Sequence, residues 1–219
     1  MRKITLVAGA LALVATSNAV LVDNFTAAGG NSILGGTYVG SNNGGGIIGA
    51  NRDYEMIVNA NPLGQFFDVS FGGALEVTSN GFMTDGDLVL QYDGGPDAAV
   101  GVGGNINNVG TGALAGAFNG TAVRVWFLGN DLPVTVTATT RVGGVITNSN
   151  VGVRGMLAGA GFMDIFLGGA LAAADSVSLK FDSQASGDYA LAKIETVPEP
   201  ATMVALAAGV AVLARRRRK

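Results

Sequence analysis

Apolar and polar positions alternate with a period of two through the second half of the chain. Within residues 123–127, Val123, Val125 and Phe127 fall on one face, and Arg124 and Trp126 on the other. Within residues 134–139, Val134, Val136 and Ala138 oppose Thr135, Thr137 and Thr139. Within residues 176–181, Val177, Leu179 and Phe181 oppose Ser176, Ser178 and Lys180. A strand sends successive side chains to opposite faces, so each stretch predicts a strand with one face on a core and one toward water. Residues 162–167 read as a more apolar strand and 189–195 as the last one. Earlier, residues 20–25, 47–58, 65–71, 74–78 and 88–92 are strand-like, and Gly72-Gly73 marks a hairpin between two of them. Asp85-Gly86-Asp87 reads as a turn, and the Gly-, Asn- and Ser-rich residues 28–50 as a flexible loop or wide turn. Only residues 168–175 look briefly helical. About ten short strands without a long helical period predict an all-β fold, a two-sheet antiparallel β-sandwich. A jelly roll is the first choice and an immunoglobulin-like Greek key the alternative.

The two ends break this pattern. Arg2 and Lys3 precede an apolar run over residues 4–14, followed by Ser17-Asn18-Ala19. This is the order of a signal peptide, with cleavage expected after Ala19. At the other end, residues 201–214 are apolar except for Thr202, and Arg215, Arg216, Arg217, Arg218 and Lys219 follow. Fourteen helical residues span about 21 Å, against a bilayer core of about 30 Å, so this predicted transmembrane helix relies on snorkelling arginines or local thinning. The five cations act as a stop-transfer that keeps the terminus cytoplasmic. Pro198 and Pro200 end the preceding extended segment and allow a helix to begin after them. Three parts result: signal peptide 1–19, β-sandwich body 20–197 and C-terminal segment 198–219.

Pro198-Glu199-Pro200, one apolar helix and a terminal basic cluster, in that order, closely resemble the PEP-CTERM sorting signal. The resemblance implies recognition by an exosortase-type processing peptidase near the Pro-Glu-Pro triplet. It further implies use of the export machinery, transient membrane anchoring and transfer to the cell surface or extracellular space of a bacterium making exopolysaccharide.

Setting the ends aside changes the charge. Residues 20–197 hold six basic and fifteen acidic side chains, a net of −9. Such a body does not seek nucleic acid or anionic lipid through its general field, and divalent cations or neutral glycans suit it better. The 35 glycines come without a collagen period, and the 48% hydrophobic content argues against disorder. The chain has no cysteine and no histidine. Disulfides, serine–histidine and cysteine–histidine catalysis and histidine-bound zinc are therefore excluded, which leaves carboxylate chemistry. Gly101-Val102-Gly103-Gly104 is not a dinucleotide fingerprint, because no helical stretch follows it.

Asp85, Asp87, Asp93 and Asp97 are close in sequence and rich in oxygen, as calcium requires, but lack an EF-hand spacing and read first as turn formers. Asp53 and Glu55, about 7 Å apart on one strand face, are a carboxylate pair of the kind glycosidases use, with nothing beside them to support an enzyme. Trp126, Tyr38, Tyr54, Tyr92 and Tyr189 are candidates for stacking on sugar rings. Trp126 stands out because it lies on the polar face of its strand. The Thr135, Thr137 and Thr139 row reads as a solvated sheet face.

Val22-Asp23-Asn24-Phe25 and Asp188-Tyr189-Ala190-Leu191-Ala192-Lys193-Ile194 resemble the first and last strands of galactose-binding-like jelly rolls. By that resemblance Asp23 and Asp188 are candidates to share one structural calcium ion. Ala192 stands where such strands carry a second Asp. The expected function is non-enzymatic, a structural or adhesive component of a cell surface or matrix linked to exopolysaccharide. The alternatives are a carbohydrate-binding module tethering the cell to glycan and a glycan-active enzyme.

Overall fold

The alternating stretches become strands because each can bury one row of apolar side chains against a second sheet. A computed structural model describes residues 19–79, 83–96, 101–102, 106, 112–156 and 159–198, and the signal-peptide and C-terminal-helix readings lie outside these residues. No helix among the described residues is long and apolar enough to cross a membrane. Ala19–Val197 forms one compact unit.

Its strands are β1 (Leu21–Asp23), β2 (Gly29–Ile33), β3 (Gly36–Asn43), β4 (Asn51–Ala60), β5 (Phe67–Phe71), β6 (Leu75–Ser79), β7 (Asp85–Tyr92), β8 (Gly101–Val102), β9 (Ala122–Asn130), β10 (Val134–Val142), β11 (Val145–Arg154), β12 (Gly161–Phe166), β13 (Ser176–Asp182) and β14 (Tyr189–Val197). A single helical turn spans Gly169–Ala173, where a brief helix is expected. The strands make two antiparallel sheets. Sheet A runs β12-β9-β14-β6-β5-β2, with β1 also paired to β14, and sheet B runs β11-β10-β13-β7-β4-β3-β8. Together they are the all-β, two-sheet sandwich that the alternation predicts.

The core lies between the sheets. Sheet A contributes Phe67, Val69, Leu75, Val77, Val123, Val125, Phe127, Leu191 and Ile194. Sheet B contributes Met56, Leu88, Leu90, Tyr92, Val134, Val136, Val177, Leu179 and Phe181. Phe71 packs edge-on to Tyr54 with ring centroids 5.1 Å apart, and Phe181 stacks on Tyr189 at 5.7 Å, so aromatic pairs bridge the layers at separate points.

Two readings are corrected. Residues 28–50 are not a loop or wide turn throughout, since they hold β2 and β3. Their glycines and asparagines hide the strand pattern, but β3 pairs in full with β4. Gly40 lies under the Tyr54 ring, so close that an added Cβ would meet it at 2.2 Å. Asp85-Gly86-Asp87 is likewise no turn but the start of β7. Gly86 faces the Phe67 ring, which a Cβ would meet at 2.6 Å, so glycine here is a packing residue.

The sandwich corner between β11 and β12 is closed by side chains. Asn148 and Asn150 donate from Nδ2 to the Leu167 and Phe166 carbonyls, each at 2.8 Å. Asn150 Oδ1 also accepts the Val151 N–H at 2.8 Å. At the opposite edge of sheet A, Asn31 accepts the Ser32 N–H in the same way. Edge backbone groups that would otherwise offer themselves to another chain are taken internally.

Candidate surface site on sheet A

Lys193 and Glu195 reach the outer face of sheet A because β14 changes phase. Leu191 faces the core, and so does Ile194, which a strict period of two forbids. The pairing with β9 skips Ala192: Leu191 lies opposite Phe127, and Lys193 opposite Trp126. This bulge turns Lys193 and Glu195 outward while keeping Ile194 inside. Ala192, the departure from the resembled strand, is thus the residue at which the phase changes.

Two rows of side chains result on three neighbouring strands. Phe162, Trp126 and Lys193 form one, and Asp164, Arg124 and Glu195 the next. The rings of Trp126 and Phe162 are 5.1 Å apart, and Phe162 is 48% exposed. The Arg124 guanidinium sits 4.0 Å from the Phe162 centroid and 5.7 Å from that of Trp126. It is held by a two-pronged pair of hydrogen bonds to Asp164, from Nε at 2.7 Å and Nη2 at 2.8 Å. Trp126 donates Nε1–H to Glu195 Oε1 at 2.8 Å, and Lys193 Nζ donates to Oε2 at 2.6 Å. Lys193 also lies 5.1 Å from the Trp126 ring centre.

The charges on this face cancel locally. The hydrogen bonds that Arg124 donates to Asp164 raise its pKa above the ordinary value, outweighing desolvation. Burial pushes the Glu195 carboxyl up, but the bonds from Lys193 and Trp126 outweigh it and the net is a lowered pKa. Each cation thus has its own carboxylate. Exposed Leu128 and Phe166 extend the apolar area along the same strands.

The other candidates lie elsewhere. Tyr54, Tyr92 and Tyr189 are buried core residues and offer no face to a sugar, while Tyr38 is half-buried against Tyr54. Asp23 is fully buried, and its Oδ2 accepts from Arg52 Nη1 at 2.8 Å and from the Tyr92 hydroxyl at 2.9 Å. Burial, then the nearby Asp23 carboxylate, push the Tyr92 pKa well above its usual value. Asp188 is not beside Asp23. Asp23 lies opposite Ile194, six residues along β14 from Asp188, or about 20 Å at ~3.3 Å per residue. Asp188 accepts the Ser79 N–H at 2.8 Å instead. The structure does not bring this pair together.

Of the acidic cluster, Asp87 holds Lys180 at 2.8 Å and Asn59 at 3.0 Å, Asp93 accepts from Gln91 and the Gly95 N–H, and Asp97 lies outside the described residues. No group of three or more acidic side chains among the described residues is arranged to hold a metal ion. Asp53 and Glu55 share the outer face of β4, with Asp53 buried and accepting from Asn51 at 3.0 Å, and Glu55 half-buried. Phe162 and Asp164, which complete the sheet A site, are absent from the sequence candidates. Their common period-two phase was the available signal.

Comparison with known proteins adds the following. Residues 196–219 match the PEP-CTERM protein-sorting motif, which implies exosortase processing, export and membrane-linked sorting. No curated protein matches the chain. Among solved structures, a family 11 carbohydrate-binding module from a cellulosomal cellulase of Clostridium thermocellum is similar at TM-score 0.35 and 12% identity, over 84% of this chain and 97% of that one. The enzymatically active domain of tailspike protein 4 of bacteriophage CBA120 is similar at TM-score 0.37 and 8% identity, over 80% of this chain. The chain spans 20% of the length of that tailspike chain. A carbohydrate-binding module of the β-sandwich superfamily is similar at TM-score 0.33 and 14% identity, over 75% of this chain and 58% of that one.

Proposed function

We propose that the chain is a non-enzymatic surface or matrix protein whose body meets neutral polysaccharide through the outer face of sheet A. The single observation that carries this reading is the Trp126–Phe162 platform with its internally neutralised rim. Aromatic faces stack on the apolar faces of sugar rings, while the indole N–H and the flanking charges keep the rings fixed. A rim whose charges are already paired gives an acidic sugar no cation to claim. A neutral sugar gives up little to displace water there. The body's net charge of −9 acts in the same direction, repelling anionic glycans at long range.

In this reading residues 1–19 and 198–219 are addresses and residues 20–197 are the working body. We read the body as a jelly roll, which the orders β12-β9-β14-β6 in one sheet and β11-β10-β13-β7 in the other support. The protein passes through the membrane-anchored state and ends at the cell surface or outside the cell, where glycan contact serves an adhesive role.

The test uses the full exported chain. Trp126 is the only tryptophan, so its emission reports the site directly. Neutral oligosaccharides are expected to quench it, with Trp126→Ala and Phe162→Ala abolishing retention on a glycan array, with or without calcium. A chain that binds no neutral glycan in either condition refutes the reading. Binding that survives both substitutions moves the site elsewhere.

A further inference from the structure

The body's hydrogen-bond frame starts at Val20 and ends at Val197, next to both processing points. The Val20 N–H donates to Thr196 Oγ1 at 3.0 Å, and the Thr196 N–H donates to the Val20 carbonyl at 2.8 Å. The Thr121 N–H donates to the Val197 carbonyl at 2.9 Å, and Val197 pairs opposite Ala122 at the last step of the β9–β14 ladder. Thr196 is fully buried. Gly120 has φ +135°, and a Cβ there would lie 2.3 Å from the Val197 oxygen, so only glycine lets the chain close over this end. Pro198 follows immediately, so no spacer separates the last paired residue from the sorting triplet.

We propose that the folded body itself limits where the tail is cut: β14 holds the chain from Lys193 to Val197 in its ladder with β9, and processing falls on the Val197–Pro198 bond or a later one. A peptidase takes its substrate as an extended segment with its backbone groups available. Thr196 and Val197 offer theirs only if the bonds to Val20 and Thr121 open first. In the cut, the amide C–N bond breaks. The carbonyl carbon takes either the hydroxyl of water or the amine or hydroxyl of a surface acceptor, and the tail leaves with the proton on its new nitrogen. This rests on the exosortase reading of the tail.

The experiment is mass spectrometry of the C-terminal peptide recovered from the full chain, expressed in a bacterium that carries the sorting peptidase. The expected mature end is Val197 or a later residue, bearing a free carboxylate if water is the acceptor and added mass if a surface group is. Thr196→Val removes the side-chain bond to Val20, and Gly120→Ala crowds the Val197 carbonyl. Both are expected to add shorter, ragged ends upstream of Val197. A wild-type end before Val197 overturns the proposal and leaves the exosortase reading standing. One unchanged end in both variants also overturns it, by assigning the boundary to motif recognition alone. A chain that is never cut refutes both.

Discussion

Arg52 Nη1 lies 2.8 Å from Asp23 Oδ2, and neither side chain is exposed. The guanidinium also stacks 3.7 Å from the Phe71 ring centre and donates to the Ala27 carbonyl and Asn42. One cation thus fixes β1, β4 and the loop between β1 and β2. Removing one partner of a buried pair leaves the other uncompensated, so Arg52→Ala is expected to lose about 3–5 kcal/mol. Urea denaturation of the variant checks this. Because Arg52 and Tyr92 already occupy the Asp23 carboxylate, neither calcium nor a chelator is expected to move the wild-type midpoint.

Glu195 gives the surface site a pH dependence of definite sign. Its folded-state pKa is lowered, so its contribution is present above the ordinary glutamate value and is lost as pH falls through the folded one. Asp85, Asp93 and Asp188 have raised values and act in the opposite direction, so the global midpoint blends the two. Trp126 emission isolates Glu195. It is expected to change only on acidification past the ordinary glutamate range, as the indole loses its acceptor, and to stay flat through neutrality. A transition centred near neutral pH would contradict this assignment.

Gly86→Ala places a Cβ 2.6 Å from the Phe67 ring, between β7 and β5 of opposite sheets. The expected loss is about 1–3 kcal/mol, as for other overpacked cores. Were Gly86 the turn residue its sequence suggests, the same change would cost little.

This position shows what the chain discloses and what it withholds. Strands such as β9, β10 and β13 were legible because Val, Phe and Leu mark one face against Thr, Ser and Lys. β3 and the start of β7 were not, because glycines under Tyr54 and Phe67 erase the apolar beat, and the reason for them sits on a distant strand. β11 was missed since its outward Thr, Ser and Val and its Asn148 and Asn150 follow no core pattern. Trp126 was legible from its phase alone. Its partners Lys193 and Glu195 were not, because the bulge at Ala192 reverses the phase of β14.

Replacing both Asn148 and Asn150 with Ala opens the corner between β11 and β12. Each lost bond is worth about 1 kcal/mol, and the Phe166 and Leu167 carbonyls become available. Val145, Ile146, Val151 and Val153 on β11 are already exposed. Concentration-dependent association, read by light scattering, is expected to rise in the double variant. A double variant that associates no more than the wild type would show that the asparagines do not guard this edge.

The reciprocal bonds between Val20 and Thr196 bring the point where the chain enters the body to the point where it leaves. A module whose ends emerge side by side can be spliced into a surface loop of an unrelated host without stretching either of them. Joining the two ends and reopening the chain at the Gly143-Gly144 turn should give a circular permutant with the same sandwich. In evolution the same property makes the body a portable cassette, free to change its address label without refolding its core.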